Sequence, residues 1–292
     1  MTHLRAAVGA RGRRPALVAL ALALLAGCRG SNATPASRDD SGQLASADAD
    51  TAAARDSITA RGPRGAPADR FPRPSRAVSD IVAPRWSSEE ARDDAGEARQ
   101  VLDLMRVGPG TRVADVGAGD GYYTVRVAER VGTSGAVWAE DIEADYLRLL
   151  QRRLRASPQP NVVLTLGEPH DPRLPRDAVD VALLIHMYHE IEQPFGLLYN
   201  LWPSLRAGAR VGILDTTRPT NQHGTPPALL RCEMEAMGYR QTAFHTTAPG
   251  EYLAVFSPPA TEAELTAPDR VAPRLAELGC DGIARRSSRG GA

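Results

Sequence analysis

The stretch Val113-Ala-Asp115-Val116-Gly117-Ala118-Gly119-Asp120-Gly121 holds the densest chemical pattern in the chain. Alternate glycines after a short apolar run give a turn whose backbone can close on a ligand. A helix starting there presents unpaired N–H groups and its positive dipole end to that ligand. Asp141 stands about twenty residues on, the separation at which an acid meets a ribose, and a carboxylate can accept from both ribose hydroxyls. Glu168, after Leu166-Gly167, is placed to accept from an exocyclic amine. A second constellation, His186-Met-Tyr188-His189-Glu190, offers His189 or Tyr188 to take a proton or orient a substrate, and His186 to border a cofactor. The plainer alternative is that His189 and Glu190 cap and brace the following helix. A metal held by His186 and His189 with His170 or Glu190 is not assigned, because their spacing on an irregular segment imposes no ligand geometry.

The elements needed to position these residues can be read from periodicity. Asp94 and Glu97 have the spacing of a capping box, with Ala98, Val101, Leu102 and Met105 at helical intervals behind them. Strands are predicted over 112–116, 136–140, 161–166, 179–185 and 209–215, and helices over 122–131, 143–155, 195–205 and 228–237. Strand–helix alternation at this spacing means crossovers and a parallel sheet, with Asp115, Asp141 and Glu168 at strand carboxyl ends where such sheets bind ligands. The last two strands, 239–245 and 251–256, are joined by five residues, which permits only an antiparallel hairpin.

Asp115-x-Gly117-x-Gly119-x-Gly121 with Asp141, Gly167-Glu168, Asp180 and Leu205-Arg-Ala-Gly208 resembles the class I S-adenosylmethionine-dependent methyltransferases over roughly Val101 to Phe256. DPRLPRDAVDVALLIHMYHEI and EYLAVF resemble a bacterial subgroup of methyltransferase-domain lipoproteins. The resemblance implies an α/β, Rossmann-like, doubly wound and mostly parallel seven-stranded sheet with an antiparallel C-terminal hairpin strand. It implies S-adenosyl-L-methionine as cofactor: Gly117, Ala118, Gly119 and Gly121 bordering its methionine part, Asp115 orienting that part, Asp141 with Ile142 at the ribose, Glu168 by the adenine amine, and His186 alongside. Arg206-Ala-Gly208 in place of Pro-Gly-Gly and Glu168 in place of Asp depart from the pattern. The implied activity is methyl transfer to a small-molecule acceptor. The alternative is a ligand-binding lipoprotein that keeps the fold and has lost transfer. A dehydrogenase is disfavoured because its fingerprint is G-x-G-x-x-G, not G-x-G-x-G.

The chain has 292 residues, and its 35 basic residues, all arginine, balance 35 acidic ones, so no basic excess points to nucleic acid. Residues 1–28 follow a secretory pattern: Arg5, Arg11, Arg13 and Arg14, then an apolar run from Ala16 to Ala26 too short to span a bilayer. Leu25-Ala26-Gly27-Cys28 resembles a lipobox, which predicts a lipid on Cys28 and attachment to the periplasmic face of the cell envelope. Arg13-Arg14 resembles the twin-arginine signal that exports folded proteins. A start placed too early would instead leave the domain cytoplasmic. Residues 29–84 are expected to be a disordered tether, 85–258 the methyltransferase domain, and 259–292 a tail that can carry a short helix. Cys232, expected to be exposed, and Cys280 are candidates for a disulfide that no spacing rule requires. Arg218 and His223 share a loop on the ligand side, either to hold an acidic acceptor or as solvated residues.

Overall fold

The computed structural model describes residues 57–81 and 88–287. The candidate signal and lipidation site at Cys28 lies outside these residues. Seven strands, β1 (Arg112–Val116), β2 (Ala136–Asp141), β3 (Val162–Leu166), β4 (Val179–Ile185), β5 (Leu205–Thr216), β6 (Arg240–Ala248) and β7 (Glu251–Ser257), form one sheet in the order β3-β2-β1-β4-β5-β7-β6. The first five pair in parallel, and β7 runs antiparallel between β5 and β6. The predicted fold class is therefore the observed one.

Eight α-helices are described: α1 (Glu89–Asp94), α2 (Glu97–Leu104), α3 (Tyr122–Val131), α4 (Ala144–Ala156), α5 (Pro194–Leu201), α6 (Pro227–Ala236), α7 (Val271–Leu278) and α8 (Cys280–Ser287). They cover both faces, so the central strands are apolar on both sides. Val181 and Leu183 of β4 join Val113, Leu147 and Leu150 in one core, and Ala182 and Leu184 join Phe195, Leu198 and Leu230 in the other. Strand order reverses between β1 and β4, and the loops leaving their carboxyl ends part there to open a crevice.

Several expectations are corrected. Asp94 ends α1 instead of capping a helix: Ser88 caps α1, its side chain accepting from Ala91 N–H, and left-handed Gly96 separates α1 from α2. The Glu97 carboxylate, which would have closed the box, is drawn to Arg92 and the Tyr123 hydroxyl. The helical stripe read through Leu205 stops at Leu201, because Pro203 cannot continue the helix and Trp202–Ser204 tightens into a 3-10 turn. Leu205 then opens β5 opposite Val179.

The tail expected over 259–292 contains α7 and α8, packed on α6. Cys232 and Cys280 form a disulfide with Cα atoms 5.7 Å apart. Cys232, expected to be exposed, is buried by these added helices.

The tether expectation also fails over 57–81, which lie against the domain. Composition counts apolar residues, and this arm docks mostly through polar pins. Leu166 N–H donates to Thr59 O at 3.0 Å along the outer edge of β3, and Gly65 N–H donates to Asp171 Oδ2 at 2.7 Å. Asn200 exchanges hydrogen bonds with the Ala66 backbone at 2.8 and 2.9 Å. Phe71 enters an apolar socket, against Tyr199. Arg76 is the deepest pin: its side chain is 0% exposed, and its Nε donates to both Glu233 oxygens at 3.1 and 3.2 Å. Its Nη2 donates to Tyr188 O at 3.1 Å.

Removing one partner of such a pair strands a buried charge, at a cost of about 3–5 kcal/mol. Arg76→Met is expected to lose that much in a urea titration, and Arg76→Met with Glu233→Met to regain most of it. Equal losses in both variants would show that packing, not charge pairing, holds the arm.

Candidate active site

The crevice between β1 and β4 is a cavity of about 610 Å³, within the range of small-molecule and cofactor pockets. Asp115, Gly117, Ala118, Gly119, Asp141, Ile142, Glu168, His186 and His189 all line it. The structure therefore brings together nine of the eleven residues singled out from the sequence.

Along one wall, β1 delivers the glycine loop. Gly117, Gly119 and Gly121 all have positive φ. A Cβ on Gly117 would press on the Met187 side chain at 3.1 Å. Gly121 does not line the cavity. A Cβ there would meet Leu150 Cδ1 at 2.3 Å, so this glycine lets α3 pack on α4.

The end of β2 locks the loop. Asp141 Oδ2 accepts from Gly119 N–H and Oδ1 from Glu143 N–H, both at 2.8 Å. Glu140 is a cavity-lining residue that no pattern in the sequence marks. Its backbone carbonyl accepts from Ala118 N–H at 2.8 Å, and its Oε2 from Gly117 N–H at 3.4 Å. Its Oε1 is buried with no partner among the described residues, under Gly167, where a Cβ would come within 1.8 Å of it. The only sequence signal was Gly167, a residue with no side chain at a crowded strand end.

Asp115, Glu140 and Asp141 put three carboxyl groups on one side of the cavity. Burial pushes the Asp115 carboxyl up to about 6, with Thr124 Oγ1, donating at 2.6 Å, opposing and the Asp141 charge adding. Burial, then the Asp141 charge, holds Glu140 well above the carboxylate range. Burial also raises Asp141, against the N–H groups of Glu143 and Gly119. A ligand that fits this wall brings positive charge and hydroxyl donors. The ammonium, sulfonium and ribose of S-adenosylmethionine have that chemistry, and the partnerless Glu140 Oε1 is an acceptor for it.

Glu168 lies at the far end, already held by Arg173 at 2.9 Å and Arg64 at 3.3 Å, so an adenine amine would share its carboxylate with two guanidinium groups. His186, with φ +53, sits between Glu251 at 3.6 Å and Glu97 at 3.8 Å. Burial acts to raise the Glu97 carboxyl, but His186 and Arg92 outweigh it and hold it at about 2. Arg92 donates to Glu97 at 2.6 Å, and its positive charge makes this carboxylate–histidine cluster a poor place for a cation.

The opposite wall carries the segment after β4. Tyr188 is fully buried and does not reach the cavity. Its hydroxyl donates to Glu233 Oε2 at 3.0 Å, so its candidacy as a proton acceptor is corrected to a structural one. His189 does reach it. Its Nδ1 lies 3.0 and 3.1 Å from the Asp215 oxygens, and Asp215 is fixed in turn by Thr225 Oγ1 and Thr216 N–H, each at 2.7 Å. This contact assigns the Nδ1 proton toward the carboxylate and leaves the Nε2 lone pair available. His223, one of two loop residues considered for an acceptor, stacks edge-on to His189 with ring centres 5.6 Å apart. Neither His223 nor Arg218 lines the cavity. The arm completes this wall: Ser79 N–H donates to His189 O at 3.1 Å, and Val78 to Ile81 line the opening.

Comparisons with known proteins agree with this geometry. Residues 113–208 match the family model described as a methyltransferase domain. The chain is 27% identical over 152 residues to a 2-phytyl-1,4-naphtoquinone methyltransferase of Trichormus variabilis, covering 50% of this chain and 66% of that protein. It is 24% identical over 121 residues to a demethylmenaquinone methyltransferase of Listeria welshimeri, covering 41% and 51%. The chain thus spans between half and two thirds of these curated relatives. A SAM-dependent methyltransferase of Aquifex aeolicus superposes with a TM-score of 0.54 at 21% identity, over 57% of this chain and 92% of that one, a likeness of fold. Together these findings show a methyltransferase-domain match over residues 113–208 and a shared fold.

Because the raised value of Asp115 belongs to the folded state, its neutral carboxyl favours the fold. That contribution is complete below the ordinary carboxyl value and is lost as pH rises through about 6. The stability difference between Asp115→Asn and the wild type should therefore move toward the variant, by on the order of 2 kcal/mol, from pH 4 to pH 8. A pH-independent difference in paired denaturant titrations would contradict this assignment.

Proposed function

We propose that this chain transfers the methyl group of S-adenosylmethionine to a small-molecule acceptor. The observation that carries the reading is a single cavity with the glycine loop and three carboxyl groups on one wall and His189, held by Asp215, on the other. Asp115 and the loop from Gly117 to Gly119 hold the methionine part, Asp141 and Glu140 the ribose, and Ile142 and Glu168 the region of the base. The bound cofactor supplies an electrophilic methyl group on a sulfonium. The protein's task is alignment inside this cavity, which can lower a barrier by roughly 7–11 kcal/mol. His189 Nε2 faces the acceptor and engages its reacting heteroatom. The quinones in the names of the two curated relatives make quinones and their reduced forms the first acceptors to screen.

We also propose that the chain is exported and carried on a lipid at Cys28. The Cys232–Cys280 disulfide supports this reading, because such bonds persist in oxidising compartments. It closes a loop of 48 residues, and its reduction should lower stability by roughly 4 kcal/mol. Mass analysis of the N-terminal peptide from a membrane fraction should find a diacylated Cys28; an unprocessed chain in the cytosol would overturn the export reading.

Calorimetric titration with S-adenosylmethionine should give one site per chain, abolished by Gly119→Arg. With a labelled methyl group and an acceptor panel, His189→Ala should lower turnover about 10²–10⁴-fold while the cofactor still binds. An absence of binding at millimolar cofactor would reject the methyltransferase reading.

A further inference from the structure

Asp215 is completely buried, and among the described residues the one charge-bearing group within ion-pair distance of it is His189. A carboxylate so placed orients the imidazole it holds and favours a cation bound on the other side of that ring. On the far side of that ring, His189 Nε2 lies 3.9 Å from Glu190 Oε1. His223 brings a third ligand atom, and the three lie within 4.8 Å of one another. Ligands about 2.1 Å from a tetrahedral zinc ion are roughly 3.4 Å apart, so small side-chain rotations close the cluster on a metal.

We propose that His189, Glu190 and His223 form a site for one divalent cation of the zinc class, with its remaining position open to the acceptor. The proposal rests on the reading of this cavity as an acceptor site and deepens it: His189 engages the acceptor through the metal, and the substrates favoured are those presenting an oxygen or sulfur that can coordinate it.

Three features support a metal here. Two imidazoles and one carboxylate with an open position form a donor set of catalytic zinc sites. The Asp215 to Nδ1 contact is the outer carboxylate that orients a metal-bound histidine and fixes its tautomer. Ser79 ties the two histidines together, donating to His189 O through its backbone and accepting from His223 N–H at 3.3 Å through its hydroxyl. The nearby Arg76 guanidinium is already paired with Glu233. The rival cluster of Glu97, His186 and Glu251 has Arg92 bound to its central acid. With Cys232 and Cys280 bonded to each other, no thiol among the described residues competes for zinc.

The test is zinc titration of the full chain after chelator treatment, followed by calorimetry and by metal analysis of the dialysed protein. One zinc per chain is expected. His223→Asn, chosen because asparagine tolerates the left-handed backbone of this residue at φ +54, should weaken binding at least 100-fold and still bind S-adenosylmethionine. Asp215→Asn should weaken zinc binding 10–100-fold through orientation alone, and His186→Asn should leave it unchanged. No stoichiometric zinc in the wild type, equal affinity in His223→Asn, or loss of zinc in His186→Asn would each overturn the assignment. Neither cofactor nor acceptor enters the zinc measurement, so its failure is distinct from a failure of the methyltransferase reading.

Discussion

A guanidinium sealed from solvent must have its charge and its N–H groups answered locally, and Arg76 meets that demand with groups from two separate parts of the chain. Glu233 on α6 supplies the opposing charge, and the backbone around Tyr188 supplies carbonyl oxygens. The Tyr188 hydroxyl turns back to the same carboxylate, so arm, helix and post-β4 turn are fixed by one polar cluster. That turn carries His189 and Glu190. The geometry of the acceptor side is therefore set about a buried charge pair and not by the sheet alone.

The two walls of the cavity are held in different ways. The cofactor-side wall is local to the sheet: the β1 loop is bonded to the end of the neighbouring β2 through Asp141 and Glu140. The acceptor wall is assembled from the β4 turn, the loop after β5 and the arm, which meet at Ser79 and Asp215. A parallel sheet offers such a crevice wherever strand order reverses. What distinguishes this chain is the polar scaffold built over one side of it.

This division explains what could be read from the sequence. The loop glycines, Asp115 and Asp141 lie within one strand–helix–strand unit, where short-range periodicity places them, and the sheet order follows from the same alternation. Arg76 and Glu233 are 157 positions apart, and no local pattern announces that they meet. For the same reason, a segment poor in apolar residues read as a tether although its polar groups dock it. His189 was visible by type, but Asp215 looked like the last residue of a strand, and its contact with His189 depends on how β4 and β5 end side by side. Gly121 and Tyr188 are the converse: residues of suggestive type in suggestive places, drawn into packing by Leu150 and Glu233.

The central claim is that one cavity unites a cofactor wall with a histidine wall across the β1–β4 switch point. A crystal structure of the chain with S-adenosylhomocysteine tests it most directly. The account predicts the ribose against Asp141 and Glu140, the amino-acid end against Asp115 and the Gly117–Gly119 turn, and the sulfur directed toward His189. A ligand bound elsewhere, or bound in this cavity with its sulfur turned away from His189, would contradict it.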